Sequence, residues 1–218
     1  MVTRRIGVIG SGTVGETLAN GFLKHGYEVQ RASRDPKKLA GWKEKAGTRA
    51  SIGTNAETAR FGEMIVLAVK GDAAESAVKA CGTDALGDKV VIDACNPIAE
   101  TPPEQGVLKF FTGPNESLME RLQKLAPRAR FVKAFSSVGA ALMVNPDFGG
   151  TRPTMFLCGN DPKARIAVRE ILDQFGWETE DLGGAAAARA IEPLCMLWCI
   201  PGFLHNQWSH AFKLLRKR

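Results

Sequence analysis

Arg5-Ile6-Gly7-Val8-Ile9-Gly10-Ser11-Gly12-Thr13-Val14-Gly15 is the stretch on which the reading of this chain turns. A β-branched run typical of a buried strand ends in G-x-G-x-x-G. Residues 13–25 follow with Val14, Leu18, Phe22 and Leu23 at helix spacing. A strand, a tight glycine turn and a helix N-terminus form a site for a pyrophosphate, because the free N–H groups of the first helical turn point at the anion. The glycines have separate tasks. Gly10 permits the turn, Gly12 has no side chain to block the pyrophosphate, and Gly15 lets the helix pack closely on the strand. Ser11, Thr13 and Val14 complete the expected cofactor loop.

The end of the next strand distinguishes one dinucleotide from another. Gly26 ends the helix, and residues 27–31 read as a second strand leading into Arg31-Ala32-Ser33-Arg34-Asp35-Pro36-Lys37-Lys38. An NAD site usually puts Asp or Glu at this strand end for the ribose hydroxyls. Here Ser33 can donate to a 2′-phosphate, Arg34 can pair with it while stacking on adenine, and Lys37 or Lys38 adds charge. Asp35 follows the Ser-Arg pair and is expected to cap the next helix. NADP(H) is therefore the expected cofactor, in preference to NAD(H).

Further out, residues 64–69, 89–93 and 130–135 are continuous apolar runs, the pattern of strands buried on both faces. Helices are expected at 72–81 and 117–125, and residues 154–158, 162–175 and 178–180 extend the strand–helix–strand pattern. The expected architecture is α/β, a doubly wound, mostly parallel sheet of the Rossmann type over residues 1–182. A small C-terminal helical segment, 183–218, follows. There an alanine-rich helix over 185–199 is interrupted by Pro193 and broken again at Pro201-Gly202. A last helix is expected to carry Leu204, Trp208, Ala211, Phe212 and Leu215 on one side. The stripe of Trp208, Phe212 and Leu215 is expected to be buried, against the sheet domain or in a homodimer.

Composition excludes several classes. The 218 residues are 44% hydrophobic and 24% charged, ordinary for a globular protein. No run approaches the roughly 18 apolar residues of a membrane span, and the N-terminus shows no signal-peptide pattern. The five cysteines are scattered with no Cys-x-x-Cys pair, which points to reduced thiols in a cytoplasm. Cys195 and Cys199 share a helix face near His205, and packing rather than metal binding is the expectation. The net charge of +6 is dispersed apart from the basic end, so no nucleic-acid partner is expected. No G-x-S-x-G elbow is present, and His25, His205 and His210 are the only histidines. No side chain stands out as catalytic, which suits a reaction whose chemistry the cofactor carries.

The chain resembles the NADPH-dependent reductases of the deazaflavin coenzyme F420, together with related bacterial dinucleotide-binding proteins and the cytoplasmic domain of metalloreductases. The resemblance runs end to end. It rests on residues 10–15, Ser33-Arg34, Val66-Leu67-Ala68-Val69, Ile92-Asp93-Ala94-Cys95-Asn96-Pro97, Val132-Lys133-Ala134-Phe135-Ser136-Ser137, Cys158-Gly159-Asn160-Asp161 and Ala188-Arg189-Ala190-Ile191-Glu192. It implies a 2′-phosphate site at Ser33, Arg34 and Lys38. It also implies that Ala68 and Val69 border the cofactor's ribose and nicotinamide, and that Asn96 and Pro97 line the same crevice. Ala134 to Ser137, Ala134 and Ser136 among them, would border the nicotinamide or the acceptor ring, with the C-terminal helices closing the pocket. Archaeal deazaflavin reductases tend to carry His where this chain has Ser136, and Ile-Pro where it has Val138-Gly139. Those are acceptor-side positions.

The leading expectation is an oxidoreductase moving hydride between NADP(H) and a tricyclic acceptor, coenzyme F420 or a flavin. Two alternatives stay open: a reductase of a small carbonyl or imine compound, and an NADP(H)-binding redox sensor without turnover.

Overall fold

The computed structural model describes residues 5–217. Strand β1 (Arg5–Ile9) runs into α1 (Thr13–Lys24), and β2 (Glu28–Ala32) follows. Then come α2 (Ala40–Lys45), β3 (Ala50–Gly53), α3 (Asn55–Phe61), β4 (Met64–Leu67), α4 (Gly71–Cys81), α5 (Thr83–Leu86) and β5 (Val90–Asp93). After the long connection of residues 94–117 come α6 (Leu118–Leu125) and β6 (Arg130–Lys133). These strands form one six-stranded parallel sheet in the order β3-β2-β1-β4-β5-β6. The order reverses between β1 and β4, the switch point where doubly wound sheets bind ligands beyond the strand carboxyl ends.

Alternation along each strand explains the apolar runs. Ile6, Val8, Met64, Val66, Ile92 and Val132 feed one core, with Leu18 and Phe22 of α1. Their neighbours Ile9, Ile65, Leu67, Val91 and Phe131 feed the other, with Ala74, Ala77 and Val78 of α4 and Leu118, Met119 and Leu122 of α6. Both faces are thus covered by helices, as parallel sheets require. The expectation missed β3, Ala50-Ser51-Ile52-Gly53. It is a short edge strand, half-buried at Ser51 and Ile52, and carries no continuous apolar run.

The last third of the chain departs further from expectation. Strand β7 (Thr154–Leu157), α7 (Pro162–Gln174) and β8 (Glu178–Asp181) form a separate two-stranded parallel sheet. A single antiparallel bridge, Lys133 to Cys158, ties it to the end of β6. A 3-10 turn at Ala185–Ala187 then leads into α8 (Ala188–Ile191) and α9 (Leu194–His205). The interruption at Pro193 is present, but Pro201 sits inside α9 and does not break it. Gly202 is there for space: a Cβ would lie 2.2 Å from the Trp208 ring folded back upon it.

The expected final helix does not form. Asn206 adopts φ 53°, the left-handed cap that ends α9, and residues 206–217 are irregular. This tail runs beside β7 and β8 instead. Thr154 N–H donates to the Phe212 carbonyl at 2.8 Å, and the Leu214 N–H donates to Thr154 Oγ1 at 3.1 Å. Lys213 and Arg216 pair with Glu178 and Glu180. Backbone and ionic partners on the small sheet replace the helical hydrogen bonds, so Trp208, Phe212 and Leu215 form no common stripe and Leu215 is 83% exposed. The helical pieces of Ala185–His205 together are, by length and composition alone, apolar enough to cross a membrane, contrary to the expectation that no run is. About a third of that segment is buried within the molecule.

Candidate cofactor and acceptor site

The glycine loop sits at the switch point, and each glycine is there for its own reason. Gly10 takes φ 150°, and a Cβ on it would meet the Ala68 carbonyl oxygen at 2.1 Å, so the loop lies directly on the end of β4. A Cβ on Gly15 would meet the Gly10 carbonyl oxygen at 2.5 Å, which fixes how closely α1 approaches β1. A Cβ on Gly12 would meet nothing within 4 Å. Sterics inside the protein therefore do not demand glycine at 12, whereas an incoming group above it would. Gly12 is also the N-cap of α1 and offers no side chain to its first turn, leaving those N–H groups for an anion. Ser11, Gly12 and Thr13 are exposed around this opening, with Val14 half-buried beside them. An open cradle with unpaired backbone donors fits a dinucleotide's pyrophosphate.

At the end of β2, Ser33 is buried and its Oγ accepts the Asp35 N–H at 3.2 Å. Its hydroxyl proton stays available for an acceptor. Asp35 caps the 3-10 turn Pro36–Leu39 by accepting the Lys37 N–H, as expected. Arg34 and Lys38 are exposed, and among the described residues neither is held by a carboxylate. Two free cations and a hydroxyl beside the switch point suit a phosphate monoester and leave no carboxylate aimed at a ribose diol.

The carboxyl ends of the central strands line up in a row. Ala68 N–H donates to the Ile9 carbonyl, Ala94 N–H to Leu67, and Ala134 N–H to Asp93, at 2.8, 3.0 and 3.1 Å. The chain leaves this row through Val69, Asn96-Pro97 and Phe135-Ser136. Asn96 Nδ2 donates to the Ser136 carbonyl at 2.8 Å, so two of the predicted site segments are joined directly. Asn96 Oδ1 and Ser136 Oγ are both buried with no partner among the described residues. A satisfied core hydroxyl is the commoner fate, so two orphaned polar atoms on residues joined by a hydrogen bond mark a place where a ligand or water belongs. Phe135, buried between Ala134 and Ser136, takes φ 63°, a costly conformation for an aromatic residue. Strain of this kind concentrates at functional sites.

Beneath these segments lies a cluster that the residue patterns did not reveal. The Lys133 ammonium is wholly buried, 2.7 Å from Asp93 Oδ2, 2.8 Å from Glu192 Oε1 and 2.8 Å from the Cys95 carbonyl to which it donates. Burial pulls its pKa down, but Asp93 and Glu192 more than reverse this, so it is raised above the ordinary lysine value. Glu192, at the joint between α8 and α9, also accepts the N–H groups of Leu118 and Met119 at the start of α6. Asp93 Oδ1 accepts the Cys95 N–H. One buried cation thus fixes the base of Asn96-Pro97, the end of β6 and the C-terminal helices relative to one another. Its three charged members lie on three distant segments, so spacing could not have paired them.

The C-terminal segment packs against this end of the sheet. A Cβ on Gly139 would lie 2.4 Å from the Trp198 ring, so α9 packs directly on the chain leaving Ser136. Trp198 Nε1 donates to the His210 carbonyl at 2.8 Å, and the His210 ring stacks on the Trp198 ring. Residues 98–110 form a hairpin whose turn, Gln105-Gly106, has positive φ at both positions, and Gly106 abuts Leu204 of α9. Of the other candidate acid groups, Tyr27 is committed to Gln174 and His25 stacks on Phe175. Cys81 and Cys158 are pushed up to about 12 by burial, so neither thiol ionises at neutral pH.

Residues 5–97 match the family model described as NADP oxidoreductase, coenzyme F420-dependent. The chain is 30% identical over 205 residues to the metalloreductase STEAP3 of Rattus norvegicus, covering 92% of this chain and 39% of that protein. Against the metalloreductase STEAP2 of Homo sapiens it is 28% identical, covering 87% of this chain and 35% of that one. It therefore spans under two fifths of the length of these curated relatives. Among solved structures, a protein described as an F420-dependent NADP-reductase from Arthrobacter sp. FB24 superposes with a TM-score of 0.90 at 29% identity, covering 98% of this chain and 100% of that one. A reductive aminase from Aspergillus terreus, in complex with NADPH4, cyclohexanone and allyl amine, gives a TM-score of 0.66 at 17% identity, over 94% of this chain and 64% of its own. That last likeness speaks to the fold alone. The glycine loop and the cationic end of β2 both lie within residues 5–97, the stretch that is similar to the NADP oxidoreductase, coenzyme F420-dependent family.

Proposed function

We propose that the protein transfers hydride between NADPH and a planar tricyclic acceptor, coenzyme F420 or a flavin. One observation carries the cofactor half: the space above Gly12 is open although the neighbouring Gly10 and Gly15 are hemmed in by backbone. The pyrophosphate is assigned to residues 10–15, and the 2′-phosphate to Ser33, Arg34 and Lys38. The nicotinamide is assigned to the row of Ala68, Val69, Asn96, Pro97, Ala134 and Ser136. Bound NADPH supplies the hydride itself. The protein's part is to bind, orient and exclude water, with donor and acceptor atoms held at roughly 3–3.5 Å.

The acceptor half rests on chemistry. Two stacked rings exchange hydride without a protein acid, whereas carbonyl reduction wants a proton donor at the developing oxyanion. The phenol of Tyr27 and the ring of His210 are engaged elsewhere, and the one hydroxyl in the row is that of Ser136, which has no partner among the described residues. We further take a second copy of the chain as the partner covering the exposed Leu197, Phe203 and Leu204 of α9, in a cytoplasmic homodimer. Stopped-flow mixing of the NADPH-loaded protein with coenzyme F420, FMN, and a panel of aldehydes, ketones and imines tests the reading. Oxidation of NADPH by a tricyclic ring is expected. Turnover of a carbonyl or imine with no transfer to either ring refutes it.

A further inference from the structure

Arg31 has no part in the site as assembled so far. It stands on β2, two residues before Ser33. Its side chain has no exposure, yet it carries a guanidinium. Nη1 lies 3.2 Å from Glu16 Oε2, and Nη2 donates to the Gly12 carbonyl at 3.4 Å. The guanidinium carbon lies 4.7 Å from the centroid of the Trp42 ring, and Trp42 is itself anchored by donating from Nε1 to Asn20 Oδ1 at 2.8 Å. Arg31 Nε has no partner among the described residues. As pure scaffolding this is a poor bargain, since the one carboxylate that compensates the burial is 52% exposed to water.

The location suggests what the charge is for. Gly12 is the glycine with open space above it, and its carbonyl is the first acceptor of α1, taking the Glu16 N–H at 3.0 Å. A second donor from Arg31 pins that carbonyl on the protein side of the loop, leaving the loop's N–H groups as the exposed face. Glu16, in the first turn of α1, would otherwise place a free carboxylate beside an arriving diphosphate. Arg31 pairs with it. We propose that Arg31 is a positioning residue for the cofactor's diphosphate: it anchors the Gly12 carbonyl and neutralises Glu16, so the glycine loop offers donors without a competing anion. This rests on the assignment of NADP(H) to the loop.

The proposal separates Arg31 from the cations of the 2′-phosphate site, and binding measurements on the whole chain read the difference. Arg31→Met keeps the length of the side chain and its contact with Trp42. It is expected to weaken NADPH and NADH by the same factor, about tenfold, the size of a lost charge-assisted contact. Affinity for 2′-AMP, which carries the 2′-phosphate but no diphosphate, should not change. Calorimetry with the three ligands, alongside the melting temperature, gives the answer. Wild-type dinucleotide affinity in the folded Met variant overturns the proposal. So does a fall in the NADPH-to-NADH ratio, which moves Arg31 to the 2′-phosphate. Equal loss of 2′-AMP binding also overturns it, because it marks a scaffold defect. If the Met variant does not fold, Arg31→Lys decides. It keeps the charge but loses the planar fork that reaches Glu16 and Gly12 together. Several-fold weaker binding of both dinucleotides supports the proposal, and wild-type affinities end it. A wild-type protein that binds neither dinucleotide overturns the cofactor assignment, and this inference with it, before any variant is made.

Discussion

Replacing Glu192 with alanine should be among the most damaging single changes in this chain. Lys133 would keep Asp93 at 2.7 Å and the Cys95 carbonyl at 2.8 Å, but lose the carboxylate at 2.8 Å in a place that water does not reach. The N–H groups of Leu118 and Met119, each 3.0 Å from Glu192, would lose their acceptor at the same time. Breaking a buried ion pair costs about 3–5 kcal/mol, and an unsatisfied buried donor about 1–3 kcal/mol. These terms overlap, so a total of about 3–5 kcal/mol is expected. For a chain of this size each kcal/mol lowers the melting temperature by about 2–4 °C, giving a drop of about 6–20 °C. Glu192→Gln keeps an oxygen for the two N–H groups and should cost less. Thermal unfolding and urea denaturation measure both variants, with an unchanged urea slope showing that stability alone has moved. An alanine variant within 1 kcal/mol of wild type would refute the view that this cluster holds the C-terminal helices to the crevice.

Gly12→Val should fold normally and lose NADPH binding in a calorimetric titration, because its side chain enters empty space over the loop. Gly10→Ala, whose Cβ would meet the Ala68 carbonyl at 2.1 Å, should instead lose stability, so similar behaviour of the two variants would contradict the geometry. Arg34→Ala should lower NADPH affinity by about tenfold or more and leave NADH nearly unchanged, since a charge-assisted hydrogen bond is worth about 1.5–3 kcal/mol. Equal loss for both cofactors would remove the 2′-phosphate assignment. Glu120 is held down to about 2 by its paired contacts with Arg189, against partial burial and with help from Ser117. Its folded pKa is depressed, so the stability it adds is full above its ordinary value of 4.5 and is lost as pH falls from there through about 2. Acid unfolding of Glu120→Gln should lack that component, and an unchanged acid profile would exclude it.

Neighbouring residues acting on one another were enough to make part of this protein legible. Gly10, Gly12 and Gly15 stand between a strand and a helix that touch because they adjoin, so the strand, the turn and the helix around them could be read along the chain. The central strands were equally plain, since burial on both faces writes them as unbroken apolar runs. Chain order could not supply partners from afar. Residues 206–217 have apolar spacing that suits a helix, but Asn206 turns the chain and Thr154, Glu178 and Glu180 offer it better bonds across space. Pro201 stays helical and Gly202 is required because Trp208 folds back on α9. Arg31 looked like one more strand residue until Gly12, Glu16 and Trp42 closed around it. Asp93, Lys133 and Glu192 each read as an ordinary charge on a separate element. Only the folded chain, by removing all three from water together, makes them depend on one another.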